Sequence, residues 1–152
     1  MTFYFFDTSA LAKSYHLETG SVKVEALLSE PLSTFYISRL SLVEIQSVFA
    51  QKVRTGVITE SEFHILRHRL FADVANHRFQ VIRLLASHFQ NAERLINDYA
   101  TSRSLRTLDA LQLSFALFLR ERSLIDYFVC ADKSLCAVAA LEGLTVINPE
   151  QP

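Results

Sequence analysis

The chain has 152 residues, 50% of them apolar and 20% charged, with a formal net charge of −1 and a pI near 6.5. That composition describes a folded soluble domain with a sizeable core and excludes a disordered chain. No apolar run approaches bilayer-spanning length, and the opening Met1–Asp7 lacks the basic leader of a signal peptide, so a cytoplasmic location is expected.

In chain order, Phe3–Phe6 is an aromatic, strand-like run that ends at Asp7. Thr8–His16 follows as a helix and Gly20 breaks it. Ser21–Ser29 makes a second short helix, closed by Pro31, and Thr34–Ser38 reads as strand two. Leu40–Thr55 is helical with Gly56 beyond its end, the position where a left-handed cap favours glycine. Thr59-Glu60-Ser61-Glu62 is a capping-box pattern opening a helix to about Asn76, with Phe63, Leu66, Leu70 and Val74 on one apolar stripe. Phe79–Leu84 is strand three. Ser87-His88-Phe89-Gln90 is a second capping-box pattern and starts a helix to about Thr101. Thr107 caps an apolar helix to about Arg122, whose buried face is predicted as Leu108, Leu111, Phe115, Phe118 and Leu119. Tyr127–Ala131 is strand four, Lys133–Glu142 a helix closed by Gly143, and Leu144–Ile147 strand five, ended by Pro149.

Strands alternating with helices predict an α/β fold, a parallel sheet covered on both faces. No repeat, low-complexity tract or Pro/Gly-rich linker divides the chain, so residues 1–152 read as a single domain. In such sheets, sites form at the carboxyl ends of the strands. Asp7, Glu44, Asp109 and Asp132 all fall at strand ends or helix starts and would meet at that edge. A cluster of carboxylates without a basic partner for each is unstable unless a cation neutralises it. Oxygen-only donors suit Mg²⁺ or Mn²⁺.

Each acid also has an ordinary structural role open to it. Asp7 and Asp132 could cap the helices that follow them. Ser41-Leu42-Val43-Glu44 is itself a capping-box pattern, so Glu44 could serve a helix start. Asp109 sits in a first helical turn, where the helix dipole favours an acid. The coincidence of all four at one predicted edge shifts the balance toward a cation site.

Other polar residues say less. Cys130 and Cys136 read as small buried hydrophobes, because further zinc ligands are absent. His64 and His68 share a helix face without the adjacent Glu of a metalloprotease, and read as surface residues. The near-neutral charge gives no global support for nucleic-acid binding. Any such substrate must be held by local basic patches, and Arg103 and Arg106, just before Asp109, are the best-placed residues to bind RNA.

Four segments resemble the motifs of PIN-domain ribonucleases, particularly the VapC-type toxins of bacterial toxin–antitoxin pairs. They are Phe6-Asp7-Thr8-Ser9-Ala10-Leu11-Ala12-Lys13, Ser41-Leu42-Val43-Glu44-Ile45, Arg106-Thr107-Leu108-Asp109-Ala110-Leu111-Gln112-Leu113 and Val129-Cys130-Ala131-Asp132-Lys133-Ser134-Leu135. The resemblance covers nearly the whole chain, and its first and third motifs are the more specific. It departs from the pattern at Cys130, where such toxins often carry Thr or Ser. It implies a three-layer α/β/α fold around a mainly parallel five-stranded sheet, and divalent-metal-dependent endonucleolytic cleavage of RNA. Asp7 and Asp109 would bind the ion most directly, Glu44 and Asp132 would hold its water shell or a second ion, and Ser9 would play an auxiliary, orienting role. It further implies a small cognate antitoxin and a homodimer.

Three other functions compete. A phosphoacceptor signalling domain would want an acceptor Asp after strand three, and none is there. A catalytically inactive interaction module of the same fold would not need all four acids. A haloacid-dehalogenase-type phosphatase would want an Asp where Ser9 stands.

Overall fold

The computed structural model describes residues 1–152. Strand β1 (Thr2–Phe6) lies at the centre of a five-stranded sheet with β2 (Ser33–Ser38), β3 (Gln80–Ile82), β4 (Tyr127–Val129) and β5 (Val146–Ile147). The order is β3-β2-β1-β4-β5 and every neighbouring pair is parallel. Helices α1 (Thr8–Leu11), α2 (Ser21–Leu28), α3 (Arg39–Arg54), α4 (Glu60–Ala75), α5 (Ala86–Tyr99), α6 (Thr107–Glu121) and α7 (Lys133–Leu141) complete the chain. This is the α/β architecture the alternating pattern predicts.

The aromatic run of β1 explains the layering, because successive side chains on a strand point to opposite faces. Tyr4 and Phe6 join a core with Ile37, Ile45, Phe49 and Leu70, supplied by β2, α3 and α4. Phe5 enters the opposite core with Leu95, Leu113, Phe115 and Phe128, supplied by α5, α6 and β4. Its ring stacks on Phe115 and Phe128 with centroids 6.4 and 6.0 Å away. Each such fully buried ring contributes roughly 1.5–3 kcal/mol.

The order in which strands are added reverses at β1. The chain builds outward through β2 and β3, then returns to place β4 and β5 on the other side of β1. That reversal opens a crevice at the carboxyl ends of the central strands.

Several element boundaries differ from the sequence expectation, each for a local reason. The predicted helix Thr8–His16 is a four-residue α1 followed by a 3₁₀ turn at Ala12–Ser14. The box at Thr59–Glu62 forms as predicted, with Glu62 Oε2 accepting the Thr59 N–H at 2.6 Å and Thr59 Oγ1 accepting the Glu62 N–H at 3.1 Å. The second pattern does not form. The N-cap of α5 falls two residues earlier, at Leu85, and the His88 ring takes over by accepting the Leu85 N–H on Nδ1 at 2.9 Å. Thr107 is the first helical residue of α6 rather than its cap. Leu108, predicted to be buried, is 46% exposed. Cys130 is buried and Cys136 half-buried, both unpaired, and His64 and His68 are exposed. No helix is long and apolar enough to cross a membrane.

Candidate active site

Asp7 is the deepest acid. Its N–H extends the central ladder by donating to the Val129 carbonyl at 2.9 Å, and its side chain caps α1. Oδ2 accepts from Ser9 twice, from the backbone N–H at 3.2 Å and from the hydroxyl at 2.6 Å. Ser9 Oγ in turn accepts the Ala131 N–H at 3.0 Å, tying the end of β1 to the segment after β4. Asp7 is only 5% exposed. Burial raises its pKa to about 6, with the charges of Glu44 and Asp109 adding and the Ser9 hydrogen bonds opposing.

Glu44 does not serve a helix start. Helix α3 begins at Arg39, because Ser38 is its N-cap and accepts the Ser41 N–H at 3.0 Å. Glu44 therefore falls in the second turn, facing inward. Its Oε1 accepts from Thr8 Oγ1 at 3.0 Å and from Gln112 Nε2 at 2.6 Å. Burial raises its pKa and Asp109 adds to the shift, while these two donors oppose it.

Sequence reasoning missed Gln112. It is 1% exposed and also approaches Thr8 Oγ1 at 3.0 Å and Ser41 Oγ at 2.9 Å, while its own Oε1 accepts from Ser38 Oγ at 3.0 Å. The available signal was a lone amide in the apolar run Ala110–Leu119, one turn after Asp109 and so on its face. Ser38, Ser41 and Thr8 gave no comparable signal, since short hydroxyls at helix starts are ordinary caps.

Asp109 and Asp132 sit further out. Asp109, in the first turn of α6, accepts the Arg106 N–H at 3.1 Å, and the Arg106 guanidinium lies 3.7 Å away. Burial raises its pKa and Asp132 adds, with Arg106 opposing. Asp132 caps α7 by accepting the Leu135 N–H at 3.0 Å. Both acids thus hold helix starts and face the crevice at once.

All four carboxylates line one cavity of about 430 Å³, and Arg106 is the one basic residue in its wall. Lys13, in the same motif as Asp7, turns away to pair with Glu18 and Glu150 at 3.2 and 2.7 Å. A second depression of about 510 Å³ shares Arg106 and Asp132 with the first and adds Arg103. The donors are oxygens with too few cations to balance them, which is the chemistry Mg²⁺ or Mn²⁺ accepts. No three of the acids converge on one point closely enough to ligate an ion together. The residues therefore fit a hard cation that keeps several waters and takes one or two carboxylates directly, the habit of Mg²⁺, rather than one caged by protein.

An all-parallel α/β domain with an acid-lined cavity at its switch-point edge is the class that fold and site define. The sequence matches the family described as PIN domain over residues 4–141, and the chain belongs to the PIN domain family. No curated protein sequence matches it. Among solved structures, it is similar to VapC20 of Mycobacterium tuberculosis, described as a sarcin-ricin loop cleaving toxin, with a TM-score of 0.67 and 18% identity over 96% of this chain and 99% of that one. It is similar to FitAcB from Neisseria gonorrhoeae, with a TM-score of 0.68 and 15% identity over 98% and 99%. It is also similar to VapBC2 from Rickettsia felis bound to a DNA fragment from their promoter, with a TM-score of 0.62 and 16% identity over 97% and 98%. At these identities the likeness is one of fold.

Proposed function

We propose that this chain is a divalent-metal-dependent endoribonuclease, the toxin of a type II toxin–antitoxin pair, acting in the cytoplasm as a single domain over residues 1–152. The observation that carries this reading is the lining of one cavity by Asp7, Glu44, Asp109 and Asp132, with Arg106 as the sole cation. Membership of the PIN domain family and the likeness in fold to toxin–antitoxin proteins support it. A small cognate antitoxin and a second copy of the chain are its proposed protein partners.

Asp7 and Asp109 would hold Mg²⁺ or Mn²⁺ most directly, with Glu44 and Asp132 completing the negative wall around it. When bound, the cation polarises the scissile phosphate and activates a water for in-line attack. The protein's own part is placement. Ser9 keeps the Asp7 carboxylate on one rotamer through its short hydrogen bond. Arg106 and Arg103 lie on the approach to the acids, where a phosphate backbone would need positive charge.

Purified protein incubated with structured RNA and Mg²⁺ or Mn²⁺ tests the proposal. Cleavage is expected only with the metal, is lost in chelator, and leaves 5′-phosphate ends. Cyclic 2′,3′-phosphate ends, or full activity in chelator, would overturn it. Asp7→Asn and Asp109→Asn should each weaken Mn²⁺ binding by calorimetry, and unchanged affinity in both would remove the ion from this cavity.

A further inference from the structure

Gln112 occupies a position where a charged donor would have been the simpler partner for a buried acid. It is 1% exposed, and its Nε2 lies 2.6 Å from Glu44 Oε1, the shortest contact that carboxylate makes. A Lys or Arg there would form a buried ion pair and cancel a charge. The amide supplies hydrogen bonds and cancels none. Its other contacts fix it from three directions. Ser38 at the end of β2 donates to its oxygen, while Thr8 from α1 and Ser41 from α3 approach its nitrogen. The amide plane is thereby set, and with it the direction of Glu44. Because Gln112 lies one turn along α6 from Asp109, the same helix places one acid directly and a second through the amide.

We infer that Gln112 is the positioning residue of this site, holding Glu44 toward the acid-lined cavity while leaving the cavity's negative charge available to a cation. The inference rests on the proposed cation-dependent function, and its test separates the two. Outer contacts of this kind typically change metal affinity 10- to 100-fold.

The probe is Mn²⁺ alone, titrated calorimetrically into wild type, Gln112→Met, Glu44→Gln and the double variant. Methionine keeps the length and removes the donor. The expected result is a Mn²⁺ dissociation constant raised about 10-fold in Gln112→Met and in Glu44→Gln. The double variant should be no weaker than Glu44→Gln alone, since Gln112 acts through Glu44. General damage to the core would instead weaken the double variant multiplicatively. Gln112→Asn, which stays polar but reaches less far, serves if the methionine variant does not fold, and is expected to weaken Mn²⁺ binding in the same way.

Wild-type affinity in a folded Gln112→Met or Gln112→Asn protein, with Glu44→Gln weakened, would overturn the role of Gln112 and leave the proposed function standing. Multiplicative weakening in the double variant would do the same. Absence of Mn²⁺ binding by the wild type would overturn both.

Discussion

The inner and outer halves of the acid cavity are stabilised in different ways. Asp7 is buried and Glu44 half-buried, and the side chains that satisfy them are neutral: Ser9 for one, Thr8 and Gln112 for the other. Asp109 and Asp132 are held by backbone N–H groups at the starts of α6 and α7, and Asp109 also has a guanidinium beside it. The outer acids therefore contribute to folding whatever their function. The inner acids are held in place against the cost of their burial. Asp7 caps a helix as well, α1, so capping alone does not separate the two pairs; what sets Asp7 apart is that it does so while buried.

The largest effect should come from Asp7. Its folded pKa of about 6 lies above its ordinary value of 3.8. The folded state thus binds more protons than the unfolded state between those values, so stability falls as pH rises through that window. Below it the carboxyl is protonated in both states and the penalty vanishes. Above it the penalty is complete, at about 3 kcal/mol for a gap of this size. In chelator, wild type should lose stability from pH 4 to pH 7, and Asp7→Asn should flatten that slope and be more stable at pH 7.5. Urea unfolding across pH checks it. Parallel pH curves for the two proteins would mean that Asp7 is no more strained than the outer acids.

Asp132→Ala should behave in the opposite sense. It removes the cap of α7 and should destabilise by about 1 kcal/mol, with or without chelator at neutral pH. Thermal melts test it. A stabilised variant would put Asp132 with the inner pair.

Asp109→Asn should change stability least among the acids, by less than about 0.5 kcal/mol, because the amide oxygen still accepts the Arg106 N–H while repulsion from Asp132 is relieved. Its effect should appear in activity and Mn²⁺ binding, so a stability loss with normal cation affinity would reduce it to a helix-start acid. The smallest change is expected from Arg103→Ala and Arg106→Ala. Each should weaken RNA binding modestly and lower the salt slope by about 1, measured by binding at two or more salt concentrations.

Much of the architecture was readable before any coordinates. Alternating strand and helix patterns, the aromatic run of β1, the box at Thr59–Glu62 and the glycines after α3 and α7 are local signals, set by backbone preference and hydrophobic period. The four acids were readable as a group because three of them directly follow a predicted strand or open a helix, and the fourth, Glu44, lies early in the helix after strand two. The parallel sheet then brings those ends to one edge.

What the sequence by itself determined is the set of elements and the residues at their ends, since caps, turns and apolar periodicity act over a few residues. The tertiary structure alone decided how those ends meet. It placed Glu44 in the second turn of α3, which starts at Arg39, one residue from the expected Leu40, so the Ser41 pattern goes unused and Glu44 becomes a cavity wall. It left Leu108 open at the mouth of the cavity, and it brought Gln112 within hydrogen-bond reach of residues 68, 71, 74 and 104 positions away. Contacts across such separations depend on sheet order and helix packing, which no local pattern encodes.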